Sequence, residues 1–93
     1  MEAKYDDEKI TGVAIRINGT FISLRPPYRH NSLFPVLSYL GYNPPYNDEQ
    51  GFVTSKGRFV TREEAWKIAD AAGQILYRSA GYDNGVLFSE NLW

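Results

Sequence analysis

Arg58 and Arg62 stand four positions apart, on either side of the run Phe59-Val60-Thr61. The pattern Thr61-Arg62-Glu63-Glu64 is a capping box, so Thr61 is the expected N-cap and Arg62 the first residue of a helix. A cation is mildly disfavoured there, because the N-terminal end of the helix dipole is positive. Two guanidiniums beside the free N–H groups of a helix start form a cradle for phosphate oxygens. The alternative is that Glu63 and Glu64 neutralise the terminus and both arginines lie in solvent. A second polar group is Arg29-His30-Asn31, next to the start of another expected helix. A neutral imidazole both donates and accepts, and an Asn amide can read an amide or a base edge. Here the alternative is that His30 packs over the core and Asn31 helps to cap the helix. Tyr28, Phe34, Tyr39, Tyr42, Tyr46, Phe52, Phe59 and Trp66 include rings that could stack on a nucleobase, although most must serve the core or an interface.

Several chemistries are missing from the chain. It has no cysteine and a single histidine, which leaves no thiol nucleophile, no disulfide and no ordinary zinc centre. Glu63 and Glu64 are neighbours on a helix, so they point apart and cannot flank one bond. No Walker-type loop is present, and Gly12-Val13-Ala14-Ile15-Arg16-Ile17 lacks the later glycines of a dinucleotide fingerprint. The expectation is a protein that is not an enzyme, with no cofactor and no metal.

The elements that must hold these residues are legible. Val13, Ile15 and Ile17 alternate up to Asn18-Gly19, and Thr20 to Leu24 follows. Asn-Gly between alternating runs predicts a two-residue hairpin turn. That turn sets Ile17 opposite Thr20, Ile15 opposite Ile22 and Val13 opposite Leu24 on the core face, with Arg16 and Phe21 paired on the other. Arg25-Pro26-Pro27-Tyr28 is an extended connection. Ser32 is the expected N-cap of a short helix carrying Leu33, Val36, Leu37 and Leu40, with Pro35 in its first turn and Gly41 as its stop. Tyr42 to Gln50 reads as a loop long enough to be functional. Gly51 to Val60 predicts a second hairpin turning at Ser55-Lys56-Gly57. The helix from Thr61 carries an apolar stripe of Ala65, Ile68, Ala69 and Ala72 and ends near Gly73. Residues 1–9 read as a flexible leader, and residues 81–93 as a loop and a tail with apolar anchors. The fold class is α+β, a mainly antiparallel sheet from two hairpins with two helices, in one domain over residues 1–93.

The composition narrows the partners. The formal net charge is -1, from 10 Lys and Arg against 11 Asp and Glu. Binding to long nucleic acid needs a strong positive field, and this balance argues against it. No apolar run approaches the roughly 20 residues that span a bilayer, and the start is no secretory signal, so a cytoplasmic protein is expected. A chain of 93 residues buries only about 60–65% of its unfolded surface, and small cores of this kind often gain stability by oligomerising. With 7 Tyr, 5 Phe and 2 Trp to place, a homo-oligomer or a base-binding surface is expected.

Four stretches carry a family resemblance: the Asn-Gly hairpin, Tyr28-Arg29-His30 before a short helix, Gly51-Phe52-Val53-Thr54-Ser55-Lys56-Gly57-Arg58-Phe59-Val60-Thr61-Arg62-Glu63-Glu64-Ala65, and Leu87-Phe88-Ser89-Glu90-Asn91-Leu92-Trp93. Together they cover about residues 12–76 and the tail, and they resemble the first class of anti-Thoeris sponge proteins of phages. The resemblance implies sequestration in the host cytoplasm. Members bind a cyclic ADP-ribose signal made by host TIR-domain proteins and hold it intact. Some also bind cyclic oligonucleotides, and they assemble as dimers or hexamers. Carried onto this chain, Arg58 and Arg62 would engage phosphates or stack on the purine, and Arg29 and His30 would line the same pocket. Members place an aromatic beside the Arg-His segment to sandwich the base. Here Asn31 follows His30, and Phe34 or Tyr28 would take that role. A different class of function is a protein–protein inhibitor that blocks a host defence complex through its aromatic and acidic surface.

Overall fold

The turn after Ile17 sets the register of the first hairpin. In the computed structural model, which describes residues 7–17, 19–42, 49–77 and 85–93, strand β1 (Ile10–Ile17) pairs antiparallel with β2 (Thr20–Leu24). The partners are Ile17 with Thr20, Ile15 with Ile22, Val13 with Leu24 and Arg16 with Phe21, as the sequence predicts. Asn18 of that turn lies outside the described residues. The second hairpin joins β3 (Gln50–Thr54) to β4 (Phe59–Thr61) through Gly57, whose φ of 76° suits a residue without Cβ. β3 also pairs antiparallel with β1, giving one four-stranded sheet in the order β2-β1-β3-β4. The sheet and the two helices beside it are the expected α+β class.

One face of the sheet is the core. Val13 lies opposite Phe52, and Phe52 opposite Val60, so all three point the same way. A bulge between Ile10 and Gly12 shifts the alternation by one residue, which brings Ile10 onto that face too. Helix α1 (Leu33–Tyr39) adds Leu33 and Leu37, and helix α2 (Arg62–Ala71) adds Ala65, Ile68 and Ala69. Leu87 and Leu92 from the tail complete the same cluster. The opposite face carries a smaller group. The Phe21 and Phe59 rings lie 5.8 Å apart, and the Arg16 guanidinium sits 4.7 Å from the Phe59 centroid.

The helix boundaries follow local chemistry, with one correction. The Thr61 hydroxyl accepts from the Glu64 N–H at 3.2 Å, and Gly73 at φ 69° follows the end of α2. Ser32 precedes α1 as expected, but its hydroxyl does not cap that helix. A 3-10 turn (His30–Ser32) comes first and puts Ser32 in helical geometry, so its hydroxyl turns back to accept from the Arg29 N–H at 3.1 Å.

At the N-terminal side the chain is held from Glu8, which is buried. Lys9 exchanges two bonds with Ser55, its N–H donating to the Ser55 hydroxyl and its carbonyl accepting from the Ser55 N–H. Residues 1–6, residues 43–48 of the long loop and residues 78–84 before the tail lie outside the described residues. Gln74, just past α2, bonds both the N–H and the carbonyl of Ile10 through its side chain, tying the end of that helix to the start of β1.

Candidate functional site

Between α1, the start of β3, the start of α2 and the tail lies a cavity of about 260 Å³. Arg29, His30, Asn31, Phe34 and Arg62 line it, together with Gln50, Phe88, Ser89 and Glu90. Five of the six residues singled out in the sequence therefore converge. Tyr28, the alternative stacking residue, does not line the cavity. It is largely exposed, and its carbonyl accepts from the Trp93 indole N–H at 3.2 Å.

Arg58 is the exception, and the expected Arg58–Arg62 cradle is not formed. Arg58 leaves the sheet toward the N-terminal segment, where Nε donates to Glu8 at 2.7 Å and Nη2 to Glu8 at 3.0 Å and to Glu64 at 3.2 Å. Two carboxylates already neutralise it. The Glu8 carboxyl is held down at about 2, chiefly by its hydrogen bond from Arg58, with burial opposing. The guanidinium that joins Arg62 at the cavity is Arg29.

Arg62 begins α2, and its side chain turns toward the tail. Nη1 donates to the Leu87 carbonyl at 2.8 Å and Nη2 to the Gln50 side-chain oxygen at 2.9 Å. The guanidinium lies 4.7 Å from the Phe88 ring centroid. No carboxylate among the described residues lies within ion-pair distance of it. It is half-buried, and burial lowers its pKa while the charges of Glu90 and Glu63 partly restore it. A desolvated cation bonded only to neutral oxygens favours an anion beside it.

Arg29 reaches the cavity because the chain enters the 3-10 turn in extended geometry (φ -120°, ψ 175°). Its Nη1 donates to the Ser89 hydroxyl at 3.0 Å, its Nη2 donates to the Trp93 carbonyl, and Glu90 stands 3.9 Å away. His30 is buried, with its ring edge-on to Phe52 at 5.0 Å between centroids. Its Nε2 donates to the Gly51 carbonyl at 2.7 Å. Burial is the main cause that holds the imidazole pKa down to about 4, opposed by the Gly51 bond and aided by the Arg62 charge, so the ring is neutral at pH 7.

The remaining wall comes from the tail. Its 3-10 turn (Ser89–Asn91) is pinned by Asn91, which is fully buried. The Asn91 side chain accepts from the Phe88 N–H and donates to the Tyr77 carbonyl, each at 2.8 Å. Sequence reasoning does not place Phe88, Ser89, Glu90 or Gln50 at a site. The available signal is the polar triplet Ser89-Glu90-Asn91 between two apolar pairs, a pattern that reads equally as a surface turn. Among the described residues no cluster of His, Asp or Glu could hold a metal ion, and no helix is long and apolar enough to cross a membrane.

Fold and cavity together define a small α+β domain with a cavity lined by two arginines and two phenylalanines. The chain belongs to the Phage T4 y16D protein family, whose model matches residues 9–93. No curated protein and no solved structure matches it.

Proposed function

We propose that this protein binds a small nucleotide second messenger in the Arg62 cavity and withholds it from its receptor without cleaving it. The observation that carries this reading is Arg62, a half-buried guanidinium at a cavity wall with no carboxylate within ion-pair distance among the described residues. Phe34 and Phe88 supply aromatic wall beside it, and Arg29 a second cation. The volume, about 260 Å³, lies near the lower end of small-molecule sites, which start at about 300 Å³. The resemblance to the anti-Thoeris sponges favours a cyclic ADP-ribose isomer, with cyclic oligonucleotides as the related class, and the host cytoplasm as the place of action.

Retention rather than turnover is favoured by the state of Ser89, the one hydroxyl in the cavity wall among the described residues. Ser89 Oγ accepts from Arg29 and donates to Glu90 at 3.3 Å, and no imidazole bonds it. A hydroxyl oxygen that accepts from a guanidinium, and whose proton faces a carboxylate with no imidazole beside it, lacks the usual activation of a serine nucleophile. Self-association is part of the proposal. Tyr28, Val36, Tyr39 and Leu40 expose apolar surface on and next to α1, and light scattering at working concentration should show a dimer or hexamer.

The deciding experiment is to denature the purified protein and identify any released nucleotide by mass spectrometry, beside calorimetric titration with cyclic ADP-ribose isomers and cyclic oligonucleotides. The expected result is binding by at least one of these and release of the same compound unaltered. No heat with any of them overturns the reading. A stable host protein captured in its place selects the inhibitor class instead.

A further inference from the structure

Two of the cavity's hydrogen-bonding groups, the guanidiniums and the imidazole, differ in type, and this bears on what a ligand must carry. The guanidiniums of Arg62 and Arg29 offer only N–H donors. His30 offers the opposite. A carbonyl oxygen can only accept, so the 2.7 Å contact with Gly51 places the imidazole proton on Nε2 and leaves the Nδ1 lone pair free. Among the described residues nothing bonds Nδ1, and no buried side-chain nitrogen or oxygen goes without a partner. Nδ1 is therefore open, on a ring that lines the cavity. Turning the ring over would break the Gly51 bond. Burial and the neighbouring Arg62 charge both disfavour protonation of this nitrogen at neutral pH. Glu90, on the same wall, is a second acceptor.

Building on the nucleotide reading of the cavity, we propose that His30 is a specificity-determining acceptor whose Nδ1 takes a hydrogen bond from an N–H or O–H of the ligand, while Arg62 holds its phosphate. The site then selects a phosphate joined to a donor-bearing base or ribose edge, and it discriminates against bare oxyanions that carry no donor. Affinity is divided between the two halves. Arg62 acts on every anion, whereas His30 acts only on ligands that can donate.

The test is calorimetric titration of wild type, His30→Gln and Arg62→Ala with each cyclic ADP-ribose isomer and with sodium sulfate at neutral pH. His30→Gln sets an amide N–H near the Nε2 position, keeps a donor for Gly51 and removes Nδ1. The expected result is a loss of about tenfold in nucleotide affinity in His30→Gln, with weak sulfate binding unchanged. Both ligands should be lost in Arg62→Ala. Unchanged nucleotide affinity in His30→Gln overturns the acceptor role while leaving the nucleotide reading intact. An equal loss of sulfate assigns the imidazole to the anion and also overturns the role. Absence of nucleotide binding in wild type overturns the nucleotide reading itself, and the acceptor role with it. The ¹⁵N spectrum of the imidazole in the unaltered protein gives a check that needs no variant. Nδ1 should appear as an unprotonated nitrogen and shift when ligand is added, and a protonated Nδ1 overturns the proposal.

Discussion

Arg62 and Leu87 are bonded to each other twice. The Arg62 carbonyl accepts from the Leu87 N–H at 3.0 Å, and the Arg62 Nη1 donates to the Leu87 carbonyl at 2.8 Å. A residue that gives the cavity one of its two cations thus also docks the tail, so the start of α2 and the far wall are one mechanical unit.

Arg62→Lys tests that double role. Lysine keeps the charge but cannot reach the Leu87 carbonyl and the Gln50 oxygen together in a planar fork. Stability should fall by about 1–2 kcal/mol, the scale of lost charge-assisted bonds. Hydrogen exchange should quicken at Leu87 and Leu92 before it does in β1. Uniform quickening across the sheet would separate the tail from Arg62.

Arg58 and Glu8 should behave as a structural pair. Arg58→Ala leaves the buried Glu8 carboxylate without its main partner and should destabilise the fold by about 1–2 kcal/mol, discounted because Arg58 is itself 43% exposed. Nucleotide affinity should not change. Because the native Glu8 pKa lies below its unfolded value of 4.5, its contribution is complete above pH 4.5 and fades as pH falls toward 2. Glu8→Gln should flatten that part of a urea-denaturation series, and an unaltered slope would contradict the pairing.

His30 acts in a different pH window. Its native pKa, about 4, lies below the unfolded 6.5, so between these values the unfolded chain binds more protons and stability falls as pH falls. The full loss is on the order of 3 kcal/mol by pH 4 and is absent above 6.5. His30→Gln should remove the decline between pH 6.5 and 4.5, where Glu8 does not yet titrate. A retained decline would mean that the imidazole titrates normally.

Gly51→Ala should be among the most damaging single changes in the sheet. A Cβ at Gly51 would stand 2.2 Å from the Val60 carbonyl oxygen and 2.6 Å from Phe59 Cζ. Phe59 can rotate away, but the Val60 carbonyl moves only if β4 moves, and Arg62 follows directly on β4. We expect a cost of about 3 kcal/mol in urea unfolding and a weaker cavity, since His30 also bonds the Gly51 carbonyl.

Local signals in the chain specify the fold well. Alternation before Asn18-Gly19 determines which of β1's residues face α1 and α2, and the Thr61–Glu64 spacing locates the start of α2. These patterns are decided by neighbours in sequence. The site is legible in part for the same reason. Arg29, His30, Asn31 and Phe34 share one short segment, and Arg62 stands out as a cation at a helix start. Arg58 is misplaced by spacing alone because its partner, Glu8, lies 50 positions away in what reads as a loose leader, and spacing carries no record of such a pair. Phe88, Ser89 and Glu90 escape notice because a tail's docking depends on distant hydrogen bonds. Asn91 forms one of them, to the Tyr77 carbonyl, and no periodicity reports it.

Arg29 grips Ser89 across 60 positions of sequence, and Arg62 grips Leu87 across 25. An unfolded chain has no trace of such a cavity, so a compound that fits it binds the native state alone. At 100 times its Kd, that compound should add about 2.7 kcal/mol of stability. For a domain of this size each kcal/mol moves the melting midpoint by roughly 4–8 °C. Heating the protein beside a collection of candidate metabolites thus lets the fold itself report which of them, if any, it holds.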